Sequence, residues 1–250
     1  MSHIKAAFRY IDDSTKAKFH TSQCLLTISV GQEVHEKEKL SVTIDLVNKH
    51  FNSCILLIDD SLQRHTMALN EKNDVGYFYE ASIKEGDSWL VRNEKYYKKL
   101  NVQKILRWDT WLKHATYLSQ KEIIKELIIK DILYREAFNS TVDEFLRRYT
   151  GRVNKSEFDF ERGRQLCFDY LLEECTALCL WIETKCQFEV YPSCRNQAMS
   201  ETHKRFVLPK YPELLHSVGI KFKNRKQLSP QCFESLQELH DTFKEEIISA

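Results

Sequence analysis

Two short runs constrain this chain most. Cys24–Val30 (CLLTISV) and Cys54–Ile58 (CILLI) are apolar and β-branched at nearly every position. Such runs are strands buried on both faces, as in a parallel sheet covered by helices. The first ends in Gly31 and the second in Asp59-Asp60. Between them, Leu40, Ile44, Val47 and Phe51 recur at three- and four-residue steps within 33–51, which predicts an amphipathic helix. Strand, helix and strand joined by short links form a βαβ unit.

The remainder fits that frame. The pattern predicts a helix over Asp87–Leu100, a strand over Lys104–Trp108, long helices over 119–149 and 156–185, a strand over Gln187–Tyr191 ended by Pro192, and a C-terminal helix reaching Asp241–Ile248. Six glycines and four prolines in 250 residues disfavour a turn-rich all-β sandwich. The expected fold class is α/β: a single Rossmann-type domain over residues 1–250, with a central, mostly parallel sheet flanked by many helices.

Charge and cysteines bound the partners. The formal net charge is +1, so a generally basic nucleic-acid coat is excluded and any polyanion must meet a local patch. The N-terminus lacks the apolar core of a signal peptide, and no apolar run reaches the ~20 residues of a membrane helix. A cytoplasmic chain with no membrane partner is expected. Its eight cysteines then read as reduced, mostly buried thiols. Cys175 and Cys179 are one helical turn apart, but no zinc-ligand spacing completes them, so no metal is expected. Without a GxGxxG or Walker A segment, no nucleotide cofactor is expected either.

Two features carry chemistry. Ser29 closes the first strand, where ligands bind in open parallel sheets. With Gly31 it forms half of a G-x-S-x-G nucleophile elbow, Thr27 standing in for the first Gly. The turn would bare the hydroxyl and offer helix-entry N–H groups to an oxyanion; alternatively, the serine only caps the helix. In the segment GRQLCFDYLLEECTALCLWIET, Glu174 falls within the apolar stripe formed by Cys167, Tyr170, Leu171, Leu178, Trp181 and Ile182, whereas Asp169, Glu173 and Thr176 fall toward the charged side. Tyr170 and Glu174 share one helix face. A buried carboxyl must be paired, protonated or functional; either Glu174 accepts a proton near neutrality or an arginine such as Arg164 satisfies it.

On Ile28-Ser29-Val30-Gly31, Tyr170-x-x-x-Glu174 and Tyr191-Pro192, in that order from about Cys24 to Pro192, the chain resembles the tRNA-dependent cyclodipeptide synthases. Their Rossmann-type domain is similar to the catalytic domain of class I aminoacyl-tRNA synthetases. One group of the family has Asn after the motif Gly and a Tyr-His pair; the other has a different residue and Tyr-Pro. Gln32 and Tyr191-Pro192 resemble the second group.

The resemblance implies a ping-pong acyl transfer from two aminoacyl-tRNAs, through an ester on Ser29 and a dipeptidyl-enzyme, to a diketopiperazine. Tyr170 and Glu174 would hold the substrate ammonium, and Tyr191 would serve the ester carbonyl. It also implies a first side-chain pocket with Leu25, Thr27, Gly31, Gln32, Leu56, Ile58, Ala177 and Glu189 as candidates, the acid at Glu189 favouring a polar or small substrate. Arg92, Lys95, Lys98 and Lys99, with Glu94 the only acid between them in sequence, are the candidate tRNA contacts. Arg147, Arg148 and Arg152 form an alternative basic surface. No stable protein partner is implied, and a monomer is expected. Two other readings remain: a serine-dependent hydrolase of small esters, and a non-catalytic tRNA-binding module.

Overall fold

The computed structural model describes residues 4–69, 71, 73–151 and 158–224. The C-terminal helix expected at Asp241–Ile248, and Arg152, lie outside them. The elements are β1 (Ile4–Phe8), α1 (Asp13–Phe19), β2 (Gln23–Ser29), α2 (Lys37–His50), β3 (Ser53–Asp59), α3 (Arg64–Met67) and α4 (Tyr79–Tyr97). There follow β4 (Val102–Arg107), α5 (Asp109–Leu112), α6 (Tyr117–Lys130), α7 (Ile132–Thr150), α8 (Phe160–Leu180), β5 (Phe188–Tyr191), α9 (Gln197–Thr202) and β6 (His216–Asn224).

The six strands form one sheet in the order β1-β6-β5-β2-β3-β4. Every neighbouring pair is parallel except β1 with β6. From β2 the chain winds outward through β3 and β4, then returns to place β5 on the other side of β2. That reversal is the switch point of a doubly wound sheet, where strand ends diverge and leave a crevice. Ser29 and Tyr191, the last residues of β2 and β5, flank it.

Period-two alternation divides the strand residues between two cores. Leu25, Ile55 and Leu57 pack with residues of α6, α7 and α8. Leu26, Ile28, Leu56 and Ile58 pack on the opposite face with Leu40 and Ile44 of α2 and Trp89 of α4.

Several boundaries differ from the periodicity for local reasons. A 3-10 turn at Glu33–His35 precedes α2, so the helix starts at Lys37 rather than beside Gly31. The stretch 119–149 is two helices, because the Asp131 carboxylate accepts the Tyr134 N–H at 3.0 Å and caps a new start. The helix of 156–185 ends at Leu180 and passes through a 3-10 turn to Lys185, at φ +57°. The helix expected from Asp87 begins at Tyr79. The sequence expectations lacked β1, α1, α3, α5, α9 and β6.

Candidate active site

The elbow after β2 is a tight turn. The Gln32 N–H donates to the Ser29 carbonyl at 3.2 Å, and Gly31 sits at φ +84° with no atom near the position of a Cβ. This backbone conformation favours glycine. A 3-10 turn at Glu33–His35 follows Gly31 and takes Gln32, not Ser29, at its N-cap, and α2 begins only at Lys37. The helix-capping role for Ser29 falls for this reason. Its hydroxyl instead lies 3.2 Å from the Tyr191 phenol oxygen.

The register decides which neighbours share that face. Ser29 pairs with Asp59, Thr27 with Leu57 and Leu25 with Ile55, while β5 sets Glu189 beside Leu25. Leu56 and Ile58 therefore point to the opposite core, away from Ser29. Their expected place in the pocket is corrected: a one-residue change of register exchanges the two faces of a strand. Leu57 and Asp59 take their places. Leu25, Thr27, Glu189 and Ala177 are buried.

Helix α8 closes this face and contributes two adjacent acids with different surroundings. Glu173, expected toward the charged side, is 2% exposed. Arg64 Nη1 and Nη2 donate to its two oxygens at 2.9 and 2.5 Å, and Trp108 Nε1 donates at 2.8 Å. Burial opposes its ionisation, but the bonds from His65 and Arg64 prevail and hold it below the usual glutamate range. Glu173 fastens α3 and Trp108 to α8.

Glu174 faces a cleft that Tyr170, His65, Asn196, Phe145 and Arg148 also line. Arg164, the suggested partner, binds Asp143 at the surface. Among the described residues, Glu174 accepts a hydrogen bond from the Asn196 amide, at 3.2 Å. Burial, then Glu189, raise it to about 7 against the pull of Asn196 and Arg195. Tyr170 is raised by burial and by Glu174 and Tyr191, and so stays a phenol. Tyr191 is pushed up to about 12, chiefly by burial, although its bond to Ser29 acts the other way.

Tyr170 and Glu174 line the cleft, and Ser29 and Tyr191 are not among its lining residues. Glu189 is held by Arg195, whose Nε donates to Oε2 at 2.9 Å. The ring of His35 lies 5.4 Å from that of Tyr191, and neither imidazole nitrogen meets a protein partner. Burial lowers His35 to about 3, so it is neutral. Asp59, Asn196 and His35 are neighbours of the site that the sequence expectations missed. Only Asp59, at a strand end beside Ser29, carried a signal that pairing could reveal.

The basic helix is less free than its sequence suggests. Folding brings Glu36 and Glu85 to Arg92, at 2.8 and 2.7 Å. Lys98 pairs with Glu94, and Lys95 lies 5.0 Å from the Tyr96 ring. Trp89 is fully buried and donates to the His35 carbonyl at 3.0 Å. Lys98 and Lys99 lie just before β4, at the end of the sheet where strands begin; Ser29 is at the other end. Among the described residues, no group of acids, cysteines and histidines could hold a metal ion, and no helix is long and apolar enough to cross a membrane.

The sheet order and Ser29 at its switch point define an α/β domain with a candidate nucleophile at the strand ends. No protein-family model and no curated protein matches the sequence. Among solved structures, a cyclodipeptide synthase from Fluoribacter dumoffii is 40% identical, with a TM-score of 0.84 over 88% of this chain and 99% of that one. The chain belongs to the cyclodipeptide synthases, transferases that use aminoacyl-tRNA. The same fold occurs in the synthase from Candidatus Glomeribacter gigasporarum bound to Phe-tRNA, at 17% identity and a TM-score of 0.67 over 82% of this chain and 90% of that one. It recurs in a Mycobacterium tuberculosis protein at 9% identity, with a TM-score of 0.56 over 89% and 94%.

Proposed function

We propose that the protein joins two aminoacyl groups from aminoacyl-tRNAs into a cyclic dipeptide by ping-pong acyl transfer on Ser29. The observation that carries this reading is the Ser29–Tyr191 hydroxyl pair at the switch point, in a chain 40% identical to a cyclodipeptide synthase. The Ser29 hydroxyl attacks the ester carbonyl of the first aminoacyl-tRNA; the acyl–oxygen bond to the tRNA breaks, and the tRNA hydroxyl leaves with a proton. Tyr191, protonated across the working pH range, passes that proton or donates to the oxyanion. The acyl donor is already an activated ester, so the exchange demands less of a base than amide hydrolysis.

Glu174 and Tyr170 bind the substrate ammonium. With its pKa near 7, Glu174 then accepts the proton as the amine becomes nucleophilic. The amine of the aminoacyl group on Ser29 attacks the ester carbonyl of the second aminoacyl-tRNA, whose tRNA hydroxyl leaves with a proton; the free amine of the resulting dipeptidyl-enzyme then attacks the serine ester, closing the ring and releasing the Ser29 hydroxyl. The relative bound to Phe-tRNA supports the acyl donor. Gln32 and Tyr191-Pro192 place the chain with the Tyr-Pro group in this reading. Lys95, Lys98 and Lys99 meet tRNA phosphates, with Arg92 reduced by its two acids. A partner touching both these lysines and Ser29 must run the length of the sheet, which a nucleic-acid stem does and a lone nucleotide does not.

The test is incubation with a pool of charged tRNAs, followed by mass spectrometry of small products and of the intact protein. Diketopiperazines and an acyl adduct lost in Ser29→Ala are expected. A folded protein that gives neither with any of the twenty aminoacyl groups overturns the reading.

A further inference from the structure

Four carboxyl groups crowd the crevice end of the sheet, and three of them have partners. Glu189 is bound by Arg195, whose guanidinium also donates to the Leu215 carbonyl at 2.8 Å. Asp60 takes the Arg107 guanidinium and the Ser61 N–H, the latter at 2.8 Å. Glu174 takes the Asn196 amide. Asp59 is the exception: it is 4% exposed, and among the described residues its Oδ1 meets no hydrogen-bond partner. Burial and the charges of Glu174, Asp60 and Glu189 all push its pKa well up, and no cation opposes them.

Asp59 is also well placed. It is the register partner of Ser29 on the adjacent strand, so its side chain rises on the same face as the hydroxyl. Behind it on that face lie Leu57, and beside Leu57 Thr27; Leu25, Leu57 and Ala177 form an apolar floor. An acyl group on Ser29 thus has a mostly apolar wall with one unsatisfied carboxyl at the level of the nucleophile. An unpaired buried acceptor is costly, and an apolar group pressed on it leaves the cost in place. A donor on the ligand removes it. A site that hydrogen-bonds its substrate this way rejects analogues without the donor far more strongly than an apolar pocket rejects a change of size.

We propose that Asp59 receives the side chain of the first aminoacyl group, which therefore belongs to the polar class ending in an N–H or O–H donor. This rests on the acyl-transfer reading above and adds its substrate class.

The experiment is intact-mass analysis of the wild-type protein after exposure to single charged tRNAs, one aminoacyl group at a time. The adduct mass identifies the first residue without requiring cyclisation. Donor-bearing side chains should load at least ~100-fold faster than apolar ones of similar size. Asp59→Asn should keep the polar preference, and Asp59→Leu should shift loading to apolar residues. Preferential loading of an apolar residue by the wild type overturns the inference while leaving acyl transfer intact. So does Asp59→Leu slowing every residue equally, which would mean that Asp59 holds the common ammonium. Absence of any adduct overturns the acyl-transfer reading itself, and the inference with it. If Asp59→Leu does not fold, the wild-type loading pattern decides alone.

Discussion

The Ser29 hydroxyl and the Tyr191 phenol are 3.2 Å apart, one at the end of β2 and the other at the end of β5. Neither residue has a protonated histidine or an ionised phenol to call on, since His35 is neutral and Tyr191 is raised to about 12. Tyr191→Phe should therefore slow acylation of Ser29 about 100-fold. One partly shared hydrogen bond is lost, so stability should change by about 1 kcal/mol or less. Single-turnover adduct formation and thermal melting check the two halves. An unchanged acylation rate would remove Tyr191 from the first half-reaction.

Glu174 makes stability depend on pH in the direction opposite to most carboxylates. Its pKa rises from 4.5 to about 7 on folding, chiefly through burial and Glu189. Between those values the folded chain holds a proton that the unfolded chain has released. The contribution of this group is thus full below about pH 4.5 and lost as pH rises through 7. Glu174→Gln, which keeps an acceptor for Asn196, should stabilise the protein by on the order of 3 kcal/mol at pH 8 and by little at pH 4.5. Melting curves across that range test it; a gain independent of pH would refute it.

Arg64 and Glu173 form a buried ion pair, 13% and 3% exposed at their side chains. Arg64→Met leaves the carboxylate buried with Trp108 Nε1 at 2.8 Å and His65 Nε2 at 3.5 Å, and should cost about 3–5 kcal/mol. Arg64→Met combined with Glu173→Leu should recover most of that loss, because no charge is then stranded. Urea denaturation of the two variants gives the comparison.

At Gly31 a side chain would meet no atom, so any penalty is conformational. Gly31→Ala should cost about 1–2 kcal/mol. Gly31→Asn should cost less, since asparagine tolerates positive φ. Both should also slow acylation, because the turn from Ser29 to Gln32 aims the hydroxyl. A Gly31→Ala protein as stable as the parent would show that the turn can change shape.

The central strands and the catalytic candidates were readable because each depends on local pattern. An apolar run of seven residues makes β2 a strand wherever it is placed, and four-residue spacing puts Tyr170 beside Glu174 on any helix. What depends on pairing was hidden. Leu56 and Ile58 were set on the wrong face because the register between β2 and β3 is not written in either strand alone. Glu173 looked solvent-facing because its partners, Arg64 and Trp108, come from α3 and the end of β4, 109 and 65 residues away. β6 alternates Val218, Ile220 and Phe222 on the face toward α2. Its signal was diluted by Lys221 and Lys223 at the alternate positions. The break at Asp131 carried a legible cap signal, obscured by the unbroken helix formers on both sides.

The winding of the sheet also sets when the enzyme comes into being. Ser29 and Tyr191 are 162 residues apart in the chain yet must lie side by side. During synthesis the nucleophile leaves the ribosome long before the strand that brings its partner. Throughout that interval it is surrounded by charged tRNAs, and it is an ordinary serine. Only when β5 slots in beside β2 do the two hydroxyls meet, so under the proposed mechanism the unfinished chain lacks the partner that speeds its acylation.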